Sequence, residues 1–284
     1  MELENHNAVI CGGGKSPLDY HLPKGNTSFN GNSFGNKVYN ALIESYNFNK
    51  VALVMNPDEK INLRIQDVFV EPTFLKGPWL SGYKGIKKID NNSSDYILVA
   101  CDLPFLEANT ITAFIQEIKN NKDADILIPL IPREINEKKF PDRRRTYQPL
   151  QEGDFLAGNI GYISQRALKQ NENLVEEIAS FYQKKLKFIF KAITYLGLSS
   201  VLKSNHPKLP LIKHLPLYEK FFPKFSKKEL EERLSEFTNV NVCLIEFPYP
   251  ESAFDIDNIE QFKLANDLYK SKFDFKKRIQ TAPI

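Results

Sequence analysis

Four short, largely apolar runs without polar alternation punctuate the chain: Ala8–Cys11, Val51–Met55, Tyr96–Ala100 and Asp125–Leu130. Helix-like stretches lie between or after them, at Lys37–Tyr46, Thr110–Lys119 and Ile259–Tyr269. A strand with one wet face alternates apolar and polar residues, whereas a strand buried on both faces does not. The pattern therefore predicts an α/β domain with a mainly parallel sheet covered by helices on both sides. Two further runs, Ile160–Ile163 and Val240–Phe247, extend the strand count, and Pro132–Asp154 reads as a polar connection.

Composition closes off other classes. With 42% hydrophobic and 26% charged residues over 284 positions, the chain is neither disordered nor a multispan membrane protein. Its three cysteines, Cys11, Cys101 and Cys243, are too few and too scattered for a disulfide framework or a zinc site. His6, His21, His206 and His214 show no metal-ligand spacing. The opening MELENHN lacks the basic, then apolar, pattern of a secretory leader, so a cytoplasmic location is expected.

Charge is segregated. Eleven of the 38 basic residues are lysines between Lys184 and Lys228, where Glu219 is the one acid, so that segment carries +10 and the remainder −7. Residues 167–237 read as a helical, basic insertion within a single domain spanning 1–284. Its apolar stretch Phe188–Leu202 is shorter than the roughly 20 residues needed to cross a bilayer. Flanking lysines suit either a solvated helical face or peripheral contact with an anionic membrane. No nucleic-acid partner is expected.

The first strand runs into Gly12-Gly13-Gly14-Lys15-Ser16, at the sheet edge where α/β folds bind phosphates. Glycines admit the close approach of phosphate oxygens to backbone N–H groups, and lysine offsets their charge. A Walker loop ending at Ser16 would need glycine where Val9 stands, and a dinucleotide fingerprint from Gly12 would need a small residue where Pro17 stands.

Ala8–Lys15 followed by Leu22-Pro23-Lys24, Lys76–Ile86 with its Gly77-Pro78 pair, Cys101-Asp102-Leu103-Pro104-Phe105, Gly158-Asn159-Ile160-Gly161 and Asp255-Ile256-Asp257-Asn258 occur in that order. This series resembles the nucleotidyltransferases typified by molybdenum-cofactor guanylyltransferase, the MobA-like NTP transferases. The resemblance implies a three-layer α/β/α, Rossmann-like (GT-A-like) nucleotidyltransferase fold. It implies nucleotide binding by Cys11, Gly12, Gly13, Gly14, Lys15, Lys24, Gly77, Pro78 and Gly82. Lys15, Lys24 and Asp102 become the catalytic candidates, Asp102 and Asp257 the metal ligands, and Arg144, Arg145 and Asn159 the acceptor contacts. The loop arginine usual in such proteins is absent, with Lys15 the nearest substitute. Arg144-Arg145-Thr146-Tyr147 with the helical insertion further resembles an uncharacterised bacterial branch of the family.

The chemistry suits these residue types. An attacking phosphate, an α-phosphorus and a departing pyrophosphate are all anionic, so a site must supply cations. Magnesium takes oxygen ligands, usually one or two carboxylates plus substrate phosphates. Arginine forks recognise phosphate bidentately, so the run Arg143–Arg145 is expected to hold the acceptor's phosphate, or else to be an exposed, solvated triplet. Local roles compete: Asp102 and Asp257 each suit a helix cap, Lys24 a surface lysine and Asn159 a turn. The expected activity is magnesium-dependent transfer of an NMP group from an NTP to a phosphorylated small-molecule or lipid-like acceptor. The alternatives are a GT-A-type glycosyltransferase and a non-catalytic nucleotide-binding or membrane-peripheral protein.

Overall fold

A computed structural model describes residues 6–12, 14–19, 22, 24–55, 67–70, 78–89, 95–143, 145–171 and 224–280. In chain order the elements are β1 (Asn7–Cys11), β2 (Ser28–Phe29), β3 (Asn32–Ser33), α1 (Phe34–Ser45), β4 (Val51–Met55), β5 (Asp67–Val70), α2 (Pro78–Ile89) and β6 (Tyr96–Ala100). There follow α3 (Ala108–Asn120), β7 (Ile126–Pro132), α4 (Arg133–Lys139), β8 (Gln148–Leu150), β9 (Gly153–Ala157), β10 (Ile160–Ile163) and α5 (Gln165–Gln170). The chain closes with α6 (Lys227–Thr238), β11 (Val242–Glu246) and α7 (Ile259–Gln280).

The main sheet runs β5-β4-β1-β6-β10-β7-β9-β8, with β11 parallel to the other side of β7. Strands β5, β4, β1 and β6 are mutually parallel, and β10 is antiparallel between β6 and β7. Alternate residues of β1 explain the unbroken apolar run. Ala8 and Ile10 face a core shared with Val38 and Leu42 of α1 and Ile111, Phe114 and Ile115 of α3. Val9 and Cys11 face Tyr83, Ile86 and Ile89 of α2 on the opposite side. Both faces are dry, giving the expected three layers.

Helix α2 sits close because of its glycines. A Cβ on Gly85 would stand 2.4 Å from Val54 Cγ2 and 2.8 Å from Val9 Cγ1. Gly85→Ala should therefore cost about 1–3 kcal/mol by overpacking, outweighing the gain of up to about 1 kcal/mol in helix propensity. Chemical denaturation checks this; an unchanged or higher midpoint would show that the helix can retreat without loss.

Strand β7 carries Pro129 in the middle of the sheet, an unusual place for a residue without an N–H. Between the pairs Leu127/Tyr162 and Leu130/Ala157, β7 has two residues where the opposing chain has four. The ladder therefore breaks beside Pro129, and Gly158 N donates to the Pro129 carbonyl at 2.8 Å. A Cβ on Gly158 would lie 2.7 Å from Pro129 Cγ, so this close crossing requires glycine.

Three expectations shift. The polar stretch 132–154 contains α4, β8 and the start of β9, whose Gly153 has φ 150°. Of Lys76–Ile86, expected to help hold the nucleotide as a loop, the described part from Pro78 onward is the start of α2, which opens on Pro78, where a missing N–H costs nothing. The final helix runs past Tyr269 to Gln280. The expected insertion 167–237 starts inside α5 and ends inside α6, whose Leu230 and Leu234 pack against the β11 core. Helix α6 opens on a capping box between Ser226 and Glu229. Residues 172–223, including Phe188–Leu202 and nearly all of the lysine-rich 184–228 segment, lie outside the described residues. Among the described residues no helix is long and apolar enough to cross a membrane.

Candidate active site

At the carboxyl edge of β1 and β6, two loops meet. Cys101 N donates to the Cys11 carbonyl at 3.2 Å, tying the turn after β6 to the end of β1. The next residue, Asp102, is buried, at 4% exposure. It caps no helix: α3 begins at Ala108, with Glu107 in the N-cap position. The strand end thus sets Asp102 at the edge of the sheet where ligands bind in such folds.

Lys24 reaches it through a self-closing loop. Gly14 O accepts from Lys24 N at 2.7 Å and Leu22 O from Ser16 N at 2.9 Å, which sets Lys24 beside Gly14. The buried Ser16 hydroxyl accepts from Leu18 N and Asp19 N inside that loop. Lys24's stem packs under Gly14, where a Cβ would sit 3.3 Å from Lys24 Cδ. The long separation of Lys24 from the glycines in sequence is therefore closed in space.

Lys24 Nζ lies 2.5 Å from Asp102 Oδ2 and 2.7 Å from Asp257 Oδ1. Burial alone would favour the neutral amine, but the Asp102 and Asp257 carboxylates push the Lys24 pKa above the ordinary lysine value. Asp257 is burdened by burial yet held below the usual carboxylate range by Lys24. It is not the cap of α7: Asn258 Oδ1 accepts from Gln261 N at 2.9 Å, while the Asp257 N–H donates to Gln261 Oε1 at 2.6 Å.

A third carboxylate belongs here. Ligand oxygens of Asp102, Asp255 and Asp257 all lie within 4.8 Å of one another. Burial raises the Asp255 pKa, against the pull of Arg145 and Arg143 and with the help of Asp102 and Asp257. Asp255 pairs with both Arg143 and Arg145. From the sequence of this motif only Asp257 is expected as a ligand; the signal for Asp255 is the Asp-Ile-Asp spacing, since alternate side chains of extended backbone point to one side. Arg143, expected with its two neighbours to hold the acceptor's phosphate, pairs here with Asp255.

Three carboxylates and three cations (Lys24, Arg143, Arg145) make the ion-paired set neutral. Three acidic oxygens in close reach fit a hard divalent cation. Adding one would bring this set to a charge of +2, suited to a polyanionic phosphate chain.

The other expected residues divide. Gly12 is buried, donates to the Val54 carbonyl at 2.8 Å, and has no room for a Cβ beside Leu53, Met55 and that carbonyl. Gly14 and Lys15 are exposed on the loop. Cys11 is raised to about 12 by burial and then by Asp102, so it remains a thiol and no nucleophile. Gly82 faces the sheet, where a Cβ would meet Leu98 and the Cys11 sulfur at 3.2–3.3 Å. Pro78 starts α2. Asn159 is half-buried and its backbone links two site loops: its N–H donates to Ser252 O at 2.7 Å and its carbonyl accepts from Ala100 N at 2.9 Å. Arg145 bonds Asp255 and the Ala253 carbonyl. Gly13, Gly77 and Arg144 lie outside the described residues.

Comparison with known proteins agrees with this architecture. The fold is similar to a hypothetical transferase from Thermus thermophilus, with a TM-score of 0.69 at 17% identity, covering 92% of this chain and 100% of that one. It is also similar to CMP:2-keto-3-deoxy-manno-octonic acid synthetase complexed with CTP, with a TM-score of 0.54 at 12% identity over 95% and 100% of the two chains. At these identities the likeness is one of fold. No curated protein sequence matches the chain. The MobA-like NTP transferase domain matches residues 8–192, which include the glycine loop, Lys24, Asp102 and Asn159. The chain belongs to the MobA-like NTP transferase family and is a nucleotidyltransferase.

Proposed function

We propose that this enzyme transfers an NMP group from an NTP to a phosphorylated acceptor. An acceptor phosphate oxygen attacks the α-phosphorus; the bond from that phosphorus to the β-bridging oxygen breaks, and pyrophosphate leaves. The observation that carries the reading is Lys24 held between Asp102 and Asp257, beside the glycine loop of an NTP transferase.

Asp102 and Asp257, with Asp255 beside them, are the carboxylates for Mg2+. When bound, that ion supplies charge stabilisation at the phosphates and orients them. The chain's own residues do the rest. Gly12, Gly13 and Gly14 let the backbone approach the phosphates, and Lys15 and Lys24 offset charge on the β and γ groups. Lys24 is tied to two carboxylates before substrate enters. Its stem anchors under Gly14, so a change of its outer torsions carries the ammonium from carboxylate to phosphate. Cys11, Gly77, Pro78 and Gly82 belong to the nucleotide side. Arg144, Arg145 and Asn159 are assigned to the acceptor, whose phosphate would compete with Asp255 for Arg145.

A thermal-shift series with the common NTPs, with and without Mg2+, tests the binding half. Saturation at 100 times Kd stabilises by about 2.7 kcal/mol, so a clear magnesium-dependent rise in Tm is expected for at least one base. Absence of a shift with every NTP would overturn the assignment.

A further inference from the structure

Arg143 is the most deeply buried cation of the site, with its side chain 1% exposed. Its Nη1 donates to the Ala253 carbonyl at 2.7 Å, and its Nη2 to the Asp255 carbonyl at 3.0 Å and to Asp255 Oδ1 at 2.7 Å. The guanidinium carbon stands 4.1 Å from the centroid of the Phe254 ring. One side chain thus grips three consecutive residues, 253–255, just ahead of Asp257. Arg145 reaches the same Ala253 carbonyl at 3.3 Å and the same Oδ1 of Asp255. Both arginines take one oxygen, which fixes the rotation of the carboxylate.

A buried arginine is a costly way to staple a loop, since apolar residues of similar volume do so as well or better. The segment already has such anchors: Phe254 and Ile256 are fully buried. Arg143 even leaves its Nε buried without a hydrogen-bond partner, a penalty of about 1–3 kcal/mol. What only a guanidinium provides is a planar fork that orients a carboxylate and neighbouring carbonyls together.

We propose that Arg143 is a positioning residue for the metal-binding carboxylates. It holds residues 253–255 so that Asp255 and, two residues on, Asp257 meet Asp102 across the site. The arginine acts through Asp255, in the way that hydrogen-bond partners behind metal ligands orient them. The inference rests on the metal reading of the three aspartates given above.

Titration of the full-length protein with Mn2+ alone, followed by electron paramagnetic resonance, tests it without reference to turnover. Arg143→Met should weaken Mn2+ binding by about 10–100-fold, with Arg143→Lys in between. Asp255→Asn should weaken it at least as much. The double variant should be no worse than Asp255→Asn alone, because the arginine works through that carboxylate. A folded Arg143→Met protein with a lower Tm but wild-type Mn2+ affinity would overturn the proposal. Losses that multiply in the double variant would overturn it too. If Arg143→Met fails to fold, wild-type affinity in Arg143→Lys is the overturning result. Wild-type protein that binds no Mn2+ would bring down the metal reading itself, and the positioning role with it; wild-type binding with unaffected variants brings down the positioning role alone.

Discussion

Asp102→Asn should lower the rate of pyrophosphate release by about a thousandfold, equivalent to about 4 kcal/mol of transition-state stabilisation. The side chain keeps its shape, and the turn is still held by the Cys101 N–H on the Cys11 carbonyl. No helix loses a cap, since Glu107 occupies the N-cap position of α3. Lys24 keeps Asp257 as a partner at 2.7 Å, so the loss of stability stays near about 2 kcal/mol, the scale of one charged hydrogen bond. Steady-state assays across a magnesium series, with circular dichroism on the same samples, check both halves. A well-folded variant with near-normal activity at limiting magnesium would contradict the role of Asp102.

Lys24→Met should produce two effects of opposite sign. The ammonium neutralises Asp102 and Asp257 in the absence of substrate; removing it leaves neighbouring carboxylates that repel each other and invite a divalent cation. Mn2+ affinity of the nucleotide-free protein should rise about tenfold, one contact of about 1.4 kcal/mol. NTP affinity should fall by about 10–100-fold, the value of a lost charge-assisted contact. NMP affinity should change little, because the β and γ phosphates carry the charge that Lys24 meets. Calorimetric titrations with Mn2+, NTP and NMP separate these outcomes. Equal losses for NTP and NMP would mean that the substitution merely damages the loop against Gly14. The linkage to pH is simple: the folded-state Lys24 pKa is raised, so its stabilisation is complete below the ordinary lysine pKa and fades only as pH climbs through the higher folded value. Across neutral pH the contribution of this group to stability is therefore constant.

The layered core was legible from residues 8–11, 51–55 and 96–100, because burial on both faces leaves an unmistakable apolar run. Asp102 was legible for the same reason: it directly follows a strand of that kind. Pairing across the antiparallel half was not. Nothing local in 126–163 says that β10 inserts between β6 and β7, or that the ladder breaks opposite Pro129. Those are contacts between residues far apart in sequence. The arginine cluster shows the same limit from the side of function. Three adjacent arginines in a polar stretch look alike in sequence, yet Arg143 is buried against Phe254 and Asp255, more than a hundred residues away. The Lys24–Asp257 bond spans the whole domain, and only the closure of the loop on Gly14 explains its reach.

In the proposed reaction this site cleaves an NTP between its α and β phosphates and passes the NMP group to a phosphorylated acceptor. Pyrophosphate release, followed with each NTP, Mg2+ and a panel of sugar, polyol and lipid-precursor phosphates, measures that directly. Wild-type protein should release acceptor-dependent pyrophosphate, one per acceptor consumed, and Asp102→Asn almost none. Release of inorganic phosphate instead, or pyrophosphate formed equally by wild type and Asp102→Asn, would contradict it.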